Sequence, residues 1–465
     1  MSMYAMLNMG RTALSTQKLN LSIAGNNIAN AATPGYVKQR LEVTARNPVQ
    51  LRGAHTVGTG VTSTEISRSF DQFTFQRVLT EQSSTSFYGA QQAQLAALES
   101  AFNESSTGGL RTGLSDFFTA VSAVSANPEG ASERNVVLGN AETVVNRFHN
   151  LATALEEARS SLDTDVQHVA GTVNEAAREI ALLNTQIAAV EASGGTAGNL
   201  RDRREQLVRA LAETANITVS ESTTGSYSVH IADLVLVQEG EYNTLVTQPD
   251  PANSNLSNVL LDNGTVQMDL TSRLSGGSLG GMLQLRDSTL VGYQTELDNL
   301  AFTLVNDFNT QHQAGFGLDG VGGRDFFTAL GTANNAAALI SLDAGMVGNP
   351  DAFAASSTAT GIPGDNLNAI ALYELNNQAL VSGTYTYTES ALVQSSQVGM
   401  DRQTVDTNVE YQTRVLSELN TLQESISGVS TDEEATNLMK FQSAFESAAR
   451  FISTVQEMMN TLMKL

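Results

Sequence analysis

The stretch NNIANAATPGY, Asn26 to Tyr36, decides how the chain begins to fold. Pro34 fixes its own φ angle and disfavours the helical conformation at Thr33, and Gly35 accepts the positive φ angle of a type II turn. We therefore predict that a helix ends among the asparagines and that residues 33–36 form a turn. The signature that stops this helix consists of Asn26, Asn27, Asn30, Pro34, Gly35 and Tyr36.

A helix with a narrow apolar seam is predicted before this turn and a strand after it. Two rows of residues at a spacing of seven lie side by side before the turn. The strong row is Leu7, Leu14, Leu21 and Ile28, and the weak row is Met3, Gly10, Gln17 and Ala24. Residues 36–43 alternate between apolar and polar, as in a strand. The chain from there to about Tyr88 is rich in Gly, Ser and Thr, and we expect it to be extended.

The middle of the chain predicts a helical rod. Apolar residues follow helical spacing over residues 110–124, before Asn127-Pro128, and again over residues 148–190. The second run predicts a helix on the order of 65 Å long, at 1.5 Å per residue. Gly194-Gly195 ends this helix, and a shorter helix returns alongside it.

Two excursions interrupt the rod. Between residues 217 and 270 the period changes to two, in short runs separated by Gly, Asn, Asp and Pro, which predicts a small β domain. Helical spacing returns over residues 283–308. Residues 315–390 are rich in Gly, Ala, Asn and Ser, and we expect a loop-rich or β excursion packed on the tip or the rod. A further helix is predicted over residues 391–426.

The last segment carries the strongest pattern in the chain. Apolar residues alternate at spacings of three and four through more than three heptads. These residues are Leu438, Phe441, Phe445, Ala448, Ile452, Val455, Met459 and Leu462. Ser430-x-x-Glu433 and Thr431-x-x-Glu434 each fit a capping box at the start of this helix.

We predict an α+β multidomain fold in which the two terminal helices pair as a coiled coil. A lone helix with such a seam is marginal in water, so each seam needs a partner in the same chain or in neighbouring copies. The chain would fold like a hairpin with its β domain at the far tip. We also expect both terminal helices to be largely disordered in the free chain and to fold on assembly. The predicted domains are 1–45 with 430–465 (terminal coiled coil), 46–215 with 276–315 and 391–429 (helical rod), 216–275 (β-rich tip) and 316–390 (second excursion).

The composition argues against several classes of function. Lys and Arg number 25 against 48 Asp and Glu, a net charge of −23, which is the wrong sign for binding nucleic acid or an anionic membrane. The absence of Cys excludes disulfides and thiolate metal sites. The first twenty residues lack the apolar core of a signal peptide, and no apolar run reaches the roughly 18 residues of a membrane span. We therefore expect neither a cleaved leader nor membrane insertion.

Three short motifs match catalytic or cofactor patterns without the context that each one needs. Residues 276–280, GGSLG, fit a nucleophile elbow, with Asp298 and His312 following in hydrolase order. His312 would lie roughly 45 Å away along the same predicted helix, whereas proton transfer needs about 3 Å. Gly315-x-Gly317-x-x-Gly320 follows a helix where a dinucleotide site requires a strand. Ser15-x-x-Lys18 lies on the first helix with no accompanying motif.

The histidines show no metal-binding spacing either. They are His55, His149, His168, His230 and His312. We therefore predict no catalytic residue, no cofactor and no metal site.

Three segments resemble bacterial flagellar axial proteins. LNLSIAGNNIANAATPGYVKQRLEV resembles the signature near the amino terminus of the rod, hook and hook-associated families. GVSTDEEATNLMKFQSAFESAARFISTVQEMMNTLMKL is similar to their carboxy-terminal helix. SLGGMLQLRDSTLVGYQTELDNLAFTLVNDFNTQHQAGF, residues 278–316, resembles a returning rod helix of the hook-associated branch. The long helix at 148–190 also favours that branch, which has a helical rod domain in this family.

The resemblance implies a structural, non-enzymatic role in the flagellum, joining hook to filament by self-assembly. It implies export through the flagellar type III apparatus to an extracellular location, with the protein cytoplasmic beforehand. The implied partners are other copies of the chain, the hook protein, a second hook–filament junction protein and a cytoplasmic export chaperone at the carboxy-terminal helix. The predicted assembly interface is Leu7, Leu14, Leu21, Ile28, Leu438, Phe441, Phe445, Ile452, Val455, Met459 and Leu462.

Other interpretations stay open at this point. A flagellar hook or distal rod protein is the alternative within the family, and the helix content of the middle third distinguishes it. A secreted enzyme and a coiled-coil adaptor are the alternatives of other classes. An enzyme requires a convergent polar pocket in the β regions, and an adaptor requires a stable dimer with buried ends.

Overall fold

The computed structural model describes residues 3–50, 56–103 and 108–464. The helices are α1 (Met3–Ala29), α2 (Gln72–Ala101), α3 (Leu110–Ala126), α4 (Ala131–Ala192), α5 (Gly198–Thr214), α6 (Gly277–Gln284), α7 (Leu290–Gln313), α8 (Ala336–Leu339), α9 (Leu367–Glu374), α10 (Tyr387–Ser427) and α11 (Thr431–Met463). A π-helical turn, Leu285–Thr289, joins α6 to α7. The α+β multidomain prediction is confirmed.

The strands form four small antiparallel sheets. They are β1 (Gln39–Ala45), β2 (Val49–Gln50), β3 (Thr56–Val57), β4 (Val61–Arg68), β5 (Ile217–Glu221), β6 (Tyr227–Ile231), β7 (Leu234–Gln238), β8 (Glu241–Tyr242), β9 (Thr244–Asp250), β10 (Leu256–Asp262) and β11 (Gln267–Asp269). β1 pairs with β4 and β2 with β3 in a hairpin beside α1. A four-stranded sheet, β5-β6-β7-β8, and a three-stranded sheet, β11-β10-β9, make up the β domain.

The helix α4 is the backbone of the rod. Its 62 residues span about 93 Å at 1.5 Å per residue, and it starts at Ala131, well before the predicted residue 148. The break at Asn127-Pro128 ends α3 and leaves Ala131 free to begin the next helix. Two large apolar cores lie along it, one around each half of its length, and a small third cluster of Leu183, Ile187 and Ala197 lies near its end.

The core around the first half of α4 is rich in aromatic side chains. Phe117 from α3 lies 5.1 Å from Phe308 of α7, centroid to centroid, and both are fully buried. Phe326, Phe327 and Phe353, from the segment between α7 and α10, close over them. Residues 316–386 therefore pack on the rod. They form short helices and isolated bridges and add no strand to a sheet among the described residues.

The core around the second half of α4 joins the β domain to α5, α6 and the start of α2. Asn184 fixes β6 to α4, because its amide donates to Tyr227 O at 2.8 Å and accepts from Tyr227 N at 2.9 Å. Asn174 holds β9 in the same way through Leu245, and the Asp163 carboxylate holds β10 by accepting from Ser257 N at 2.7 Å.

The β domain differs in position from the expected far tip. It lies beside the half of α4 that packs against α5, and α5 carries the contacts to the terminal region. The end furthest from those contacts is capped by residues 316–386, where Arg134 at the start of α4 donates to Phe353 O at 2.6 Å.

The expectation of extended chain up to Tyr88 is wrong beyond residue 71. Asp71 caps α2 by accepting from the backbone N–H groups of Phe73 and Thr74. Phe75, Val78 and Leu79 then follow helical spacing and are buried. The many Ser, Thr and Gln residues of α2 hide this pattern, because they face outward along a helix that buries only a narrow stripe.

Candidate assembly interface

The terminal helices α1 and α11 pair in antiparallel orientation. At one end, Asn27 Nδ2 donates to Glu434 Oε2 at 3.2 Å. Further along, Gly10 faces Ile452, since a Cβ atom at Gly10 would lie 2.6 Å from Ile452 Cγ1. The two ends of the chain, 407 residues apart at the Asn27–Glu434 contact, are therefore brought together as predicted.

Gly10 sets the closeness of this pair. It is buried, and Phe451 and Ile452 occupy the space that a side chain would need. Glycine in a helix interior costs about 1 kcal/mol relative to alanine, and the close approach of the two helices offsets that cost. From the spacing of seven, Gly10 is assigned only to the weak row, because a residue without a side chain contributes nothing to an apolar pattern.

The strong row of α1 lies to one side of the contact with α11. Leu7, Leu14, Leu21 and Ile28 are all half-buried. In the weak row Gly10 and Ala24 are buried, as are Thr16, Ile23 and Asn27. The structure thus places the weak row against α11 and leaves the leucine row partly open.

The helix α11 is the least covered long helix in the described residues. Among its 33 residues only Glu434 and Val455 are buried. Leu438, Phe441, Phe445, Ile452 and Met459 are half-buried along the contact with α1. Leu462 is 60 % exposed, because α11 extends past the described start of α1.

Large apolar side chains remain exposed on both helices. Tyr4 on α1 is 75 % exposed, and Met439, Phe451 and Met463 on α11 are 63 %, 41 % and 74 % exposed. Both helices are formed and paired within one chain, and their disorder in the free chain stays a prediction. Large apolar side chains exposed on one pair of helices are typical of a surface that associates with another protein.

Asn27 is the centre of the turn signature. Its side chain is 1 % exposed, and its Nδ2 donates to Gln39 O at 2.9 Å as well as to Glu434. Its Oδ1 accepts from Gln39 N at 3.1 Å and from the Tyr36 hydroxyl at 2.8 Å. All four hydrogen-bonding positions of the amide are filled, so one side chain ties the end of α1 to the start of β1 and the start of α11.

The other members of the signature support Asn27. Asn26 Nδ2 donates to the Tyr36 hydroxyl at 3.2 Å, and Asn30 Nδ2 donates to Asn26 O at 2.9 Å. Tyr36 N donates to Thr33 O at 3.2 Å, and Gly35 has a φ angle of 73°, which confirms the predicted turn. Gln206 of α5 donates to Pro34 O, so the turn also contacts the rod. Burial of the Tyr36 hydroxyl raises its pKa to about 12.

Glu434 has a role that the sequence did not indicate. Ser430 accepts from Glu433 N and is the N-cap of α11, which decides between the two predicted capping boxes. Glu434 instead bonds Asn27 and lies 3.4 Å from Lys38 Nζ, while Glu433 lies 2.8 Å from that nitrogen. Burial opposes the charge of Lys38, but the hydrogen bond and charge of Glu433 outweigh it, so the Lys38 pKa is raised.

A second ionic contact fixes the hairpin to the rod. Arg68 at the end of β4 lies 2.5 Å from Asp202 and 2.7 Å from Glu205, both on α5. Asp202 also accepts from Val37 N at 3.4 Å. Burial raises the pKa of Asp202 to about 6, although Arg68 opposes this rise. Beside the Arg68 contact, a cleft of about 1000 Å³ opens between the turn, α5 and the link from α10 to α11.

The residues of the chance motifs have structural roles. His312 is fully buried between Arg324 O and Ala354 N, at 2.8 and 2.9 Å from its two ring nitrogens. Asp298 accepts from the backbone N–H groups of Asn335 and Ala337. Within the described ranges, no group of three or more His, Asp or Glu side chains is arranged to hold a metal ion. His55 lies outside those ranges.

No helix in the described part of the chain is both long and apolar enough to cross a bilayer.

Known families match the chain in three places. The model of the flagellar hook-associated protein FlgK helical domain matches residues 95–327, half of the chain, from the end of α2 to the core at Phe327. The chain belongs to the flagellar hook-associated protein FlgK family. Models of the flagella basal body rod protein and of the FlgEFG carboxy-terminal region match residues 7–36 and 423–465, which cover the turn signature and α11.

Relatives of the FlgK family match over the whole length. Proteins named flagellar hook-associated protein 1 are 26 % identical in Escherichia coli K12, over 100 % of both chains, and 29 % identical in Bacillus subtilis, over 98 % of this chain and 96 % of the relative. The solved structure of the flagellar hook junction protein FlgK from Burkholderia pseudomallei is 17 % identical. It aligns with a TM-score of 0.67 over 76 % of this chain and 100 % of its own, so it shares the fold.

The family assignment makes this chain a structural flagellar protein. The rod-protein models match the turn signature and the terminal helix, the two segments with the clearest sequence patterns. The helical middle is what the FlgK model matches.

Proposed function

We propose that this protein joins the flagellar hook to the filament by assembling into a tube through α1 and α11. The observation that carries this proposal is the incomplete burial of the terminal pair. Phe441, Phe445 and Ile452 are only half-buried, and Phe451 and Leu462 are exposed. Burying a Phe or Leu side chain fully is worth about 1.5–3 kcal/mol, so neighbouring copies that cover this surface would gain several such contributions.

The polar joint gives the pair a fixed direction for assembly. Asn27 and Lys38 connect α1, β1 and α11 by short hydrogen bonds and ion pairs, and Arg68 connects β4 to α5. Because these contacts involve the backbone and charged groups, they fix the angle between the terminal pair and the rod. Every copy would then present the partly exposed apolar side chains of α1 and α11 in the same orientation, as a closed tube requires.

The family assignment suggests the partners. We propose the hook protein on one side, a second hook–filament junction protein on the other, and an export chaperone on the open face of α11 before assembly. The site of action would be the flagellum outside the cell, reached through the flagellar export apparatus. Relatives named hook-associated protein 1 and a relative titled hook junction protein support this position. No catalytic step is part of the proposal.

The alternative of a hook or distal rod protein has less support. The rod-protein models match only the two ends, whereas the FlgK model matches the helical middle. The 62-residue α4 also accounts for a middle third that is rich in helix.

A strain that lacks the gene tests the proposal. We expect electron micrographs of that strain to show hooks without filaments, and complementation with the wild-type gene to restore filaments. Phe445→Asp should fail to restore them, because a charge would lie in the dry seam, while the purified variant keeps the circular dichroism of the rod. Thr172→Asp, at an exposed position on α4, is the matched control and should restore filaments. Normal filaments from the deletion strain or from Phe445→Asp would contradict the proposal.

A further inference from the structure

The exposed face of α1 is cationic in an acidic protein. Residues 1–41 contain four basic side chains and no Asp or Glu, in a chain of net charge −23. Lys38 pairs with Glu433 and Arg40 with Glu42. Arg11 and Lys18 are exposed and form no ion pair or hydrogen bond among the described residues. Two positive charges on α1 are therefore left without a partner inside the copy.

These two charges lie beside the open leucine row. Arg11 and Lys18 each follow a leucine, Leu7 or Leu14, by four residues, and residues four apart are neighbours on a helix surface. Tyr4, 75 % exposed, continues the same line. We call the surface of Tyr4, Leu7, Arg11, Leu14 and Lys18 the cationic face of α1. It combines half-buried apolar side chains with unpaired positive charge.

The cleft beside the Arg68 contact contains two unpaired carboxylates. They belong to Glu213 of α5 and Glu424 of α10, which form no ion pair among the described residues. The basic residues of the same lining have other partners, since Lys38 pairs with Glu433 and Arg209 donates to Asn420 and Gln423. Ala31, Ala210 and Ile426 add apolar surface to the same lining. Burial raises the pKa of Glu213, so this carboxylate would gain from a nearby cation. At about 1000 Å³ the cleft has room for several side chains of an approaching helix.

The cationic face of the copy's own α1 does not reach this cleft. The cleft comes nearest to α1 at Ala31, just past its carboxyl end. Lys18 lies about 16 Å and Arg11 about 27 Å along the helix from Ala29, at 1.5 Å per residue. Because neither side chain spans such a distance, Arg11 and Lys18 cannot pair with Glu213 or Glu424 of their own copy.

We propose that the cationic face of α1 in one copy docks in the cleft of a neighbouring copy, with Arg11 and Lys18 against Glu213 and Glu424. This inference rests on the proposed function, since it requires assembly, and it names the lateral contact of that assembly. The complementary charge fixes which part of the neighbour each α1 meets, and the leucine row supplies the apolar contact.

Cross-linking tests the contact directly, because the chain contains no native Cys. Copies with Lys18→Cys and copies with Glu424→Cys are co-expressed in the deletion strain, and isolated hooks are treated with a short bismaleimide. We expect a cross-linked dimer that contains both variants. The control pair, Lys18→Cys with Glu175→Cys on the exposed side of α4, should give none. Absence of the dimer from hooks that carry both variants would overturn the inference, as would cross-linking to a different protein.

Charge reversal provides the second test. Arg11→Glu with Lys18→Glu should lower the fraction of hooks that carry filaments by about tenfold or more, since like charges across an interface cost several kcal/mol. Adding Glu213→Lys and Glu424→Lys to the same chain should restore filaments. Arg178→Glu with Arg273→Glu changes the net charge equally at exposed positions away from α1, and should have no effect.

Immunogold labelling of the hook tip separates the two proposals. If wild-type protein is absent from the hook–filament junction, the proposed function fails. If it is present there and the reversed pair assembles normally, only the contact of α1 with the cleft is wrong. Failure of the fourfold variant to restore filaments, with its monomer folded by circular dichroism, would also overturn the contact.

Discussion

The core of the rod and the terminal pair are built from the same kinds of side chain, yet they bury them to different degrees. Phe117 and Phe308 are fully buried between α3, α4 and α7. Phe441 and Phe445 follow an even stricter heptad pattern on α11 and are only half-buried. The pattern of apolar residues is therefore not what differs. The rod helices have several neighbours inside one chain, whereas α11 has α1 alone over most of its length.

This difference shows how stability is distributed between the rod and the terminal pair. The core of the rod around Phe117 and Phe308 is fully buried within one copy, although single side chains such as Met400 and Tyr411 on α10 are exposed. The terminal pair is held by the four hydrogen bonds of Asn27 and by an apolar contact in which most of the apolar side chains of α11 are only half-buried. A closed core in the rod beside a partly open one in the terminal pair is what a subunit of a larger assembly requires.

The largest effect on the free chain is expected from a truncation in the rod core. Phe308→Ala should lower the free energy of unfolding of the rod by about 3–5 kcal/mol, the usual loss for a buried Phe. The same truncation on α11, Phe445→Ala, should lower the free energy of unfolding of the terminal pair by about 1 kcal/mol or less, because that side chain is only partly buried. Urea unfolding followed by circular dichroism measures both. Equal losses would remove the distinction between the two regions.

Lowering the pH should have the next largest effect, a loss of stability where residues 316–386 pack on the rod. Since Ala354 N–H donates to His312 Nε2, the proton lies on Nδ1 and the ring is neutral. Burial lowers the pKa of His312 from 6.5 to about 4. The unfolded chain thus binds the extra proton first, so stability is complete above pH 6.5 and is lost as pH falls toward 4, by on the order of 2–3 kcal/mol.

Hydrogen exchange at the Ala354 amide, compared between pH 7 and pH 5 after correction for the intrinsic rate, measures this loss. His312→Gln keeps a neutral side chain and should remove most of the pH dependence of that exchange. Exchange at the α1 amides should change little with this substitution. A wild-type Ala354 amide whose protection does not change over this range would contradict the role of His312.

The smallest effect on the free chain concerns the packing of α1 on α11. Gly10→Leu should force the helices apart at Ile452 and cost about 1–3 kcal/mol in the pairing, as overpacking does elsewhere, with the rod unchanged. Gly139→Leu on α4, where a new side chain meets open space, is the control. Limited proteolysis of residues 431–463 should become faster in Gly10→Leu only. Equal rates in the two variants would show that the contact at Gly10 is not close.

Much of the fold follows from the sequence because it depends on local patterns. The turn at Thr33–Tyr36, the helix break at Gly194 and the β domain after Ile217 are set by Gly, Pro and period-two residues, and the structure has them in place. The start of α2 was not predicted, since its apolar stripe is narrow and its Ser and Thr residues suggest extended chain.

The site was harder to predict where long-range contacts decide it. Two adjacent rows on α1 fit the same heptad spacing. Only the contact with α11 determines that the row with Gly10 and Ala24 is the buried one. Glu434 reads locally as a helix cap, but its partners Asn27 and Lys38 come from the opposite end of the chain. The position of the β domain depends on how α5 packs against α4, and no local sequence pattern predicts that packing.

The most direct test of the central claim is hydrogen exchange on the same protein before and after assembly. In the purified monomer, the amides of α1 and α11 should exchange much faster than those of α4 next to Phe148 and Leu155, which are fully buried. In assembled flagella they should become about as slow as α4. Amides of α1 and α11 that are as protected as α4 in the monomer, or that stay fast in the assembly, would contradict the account.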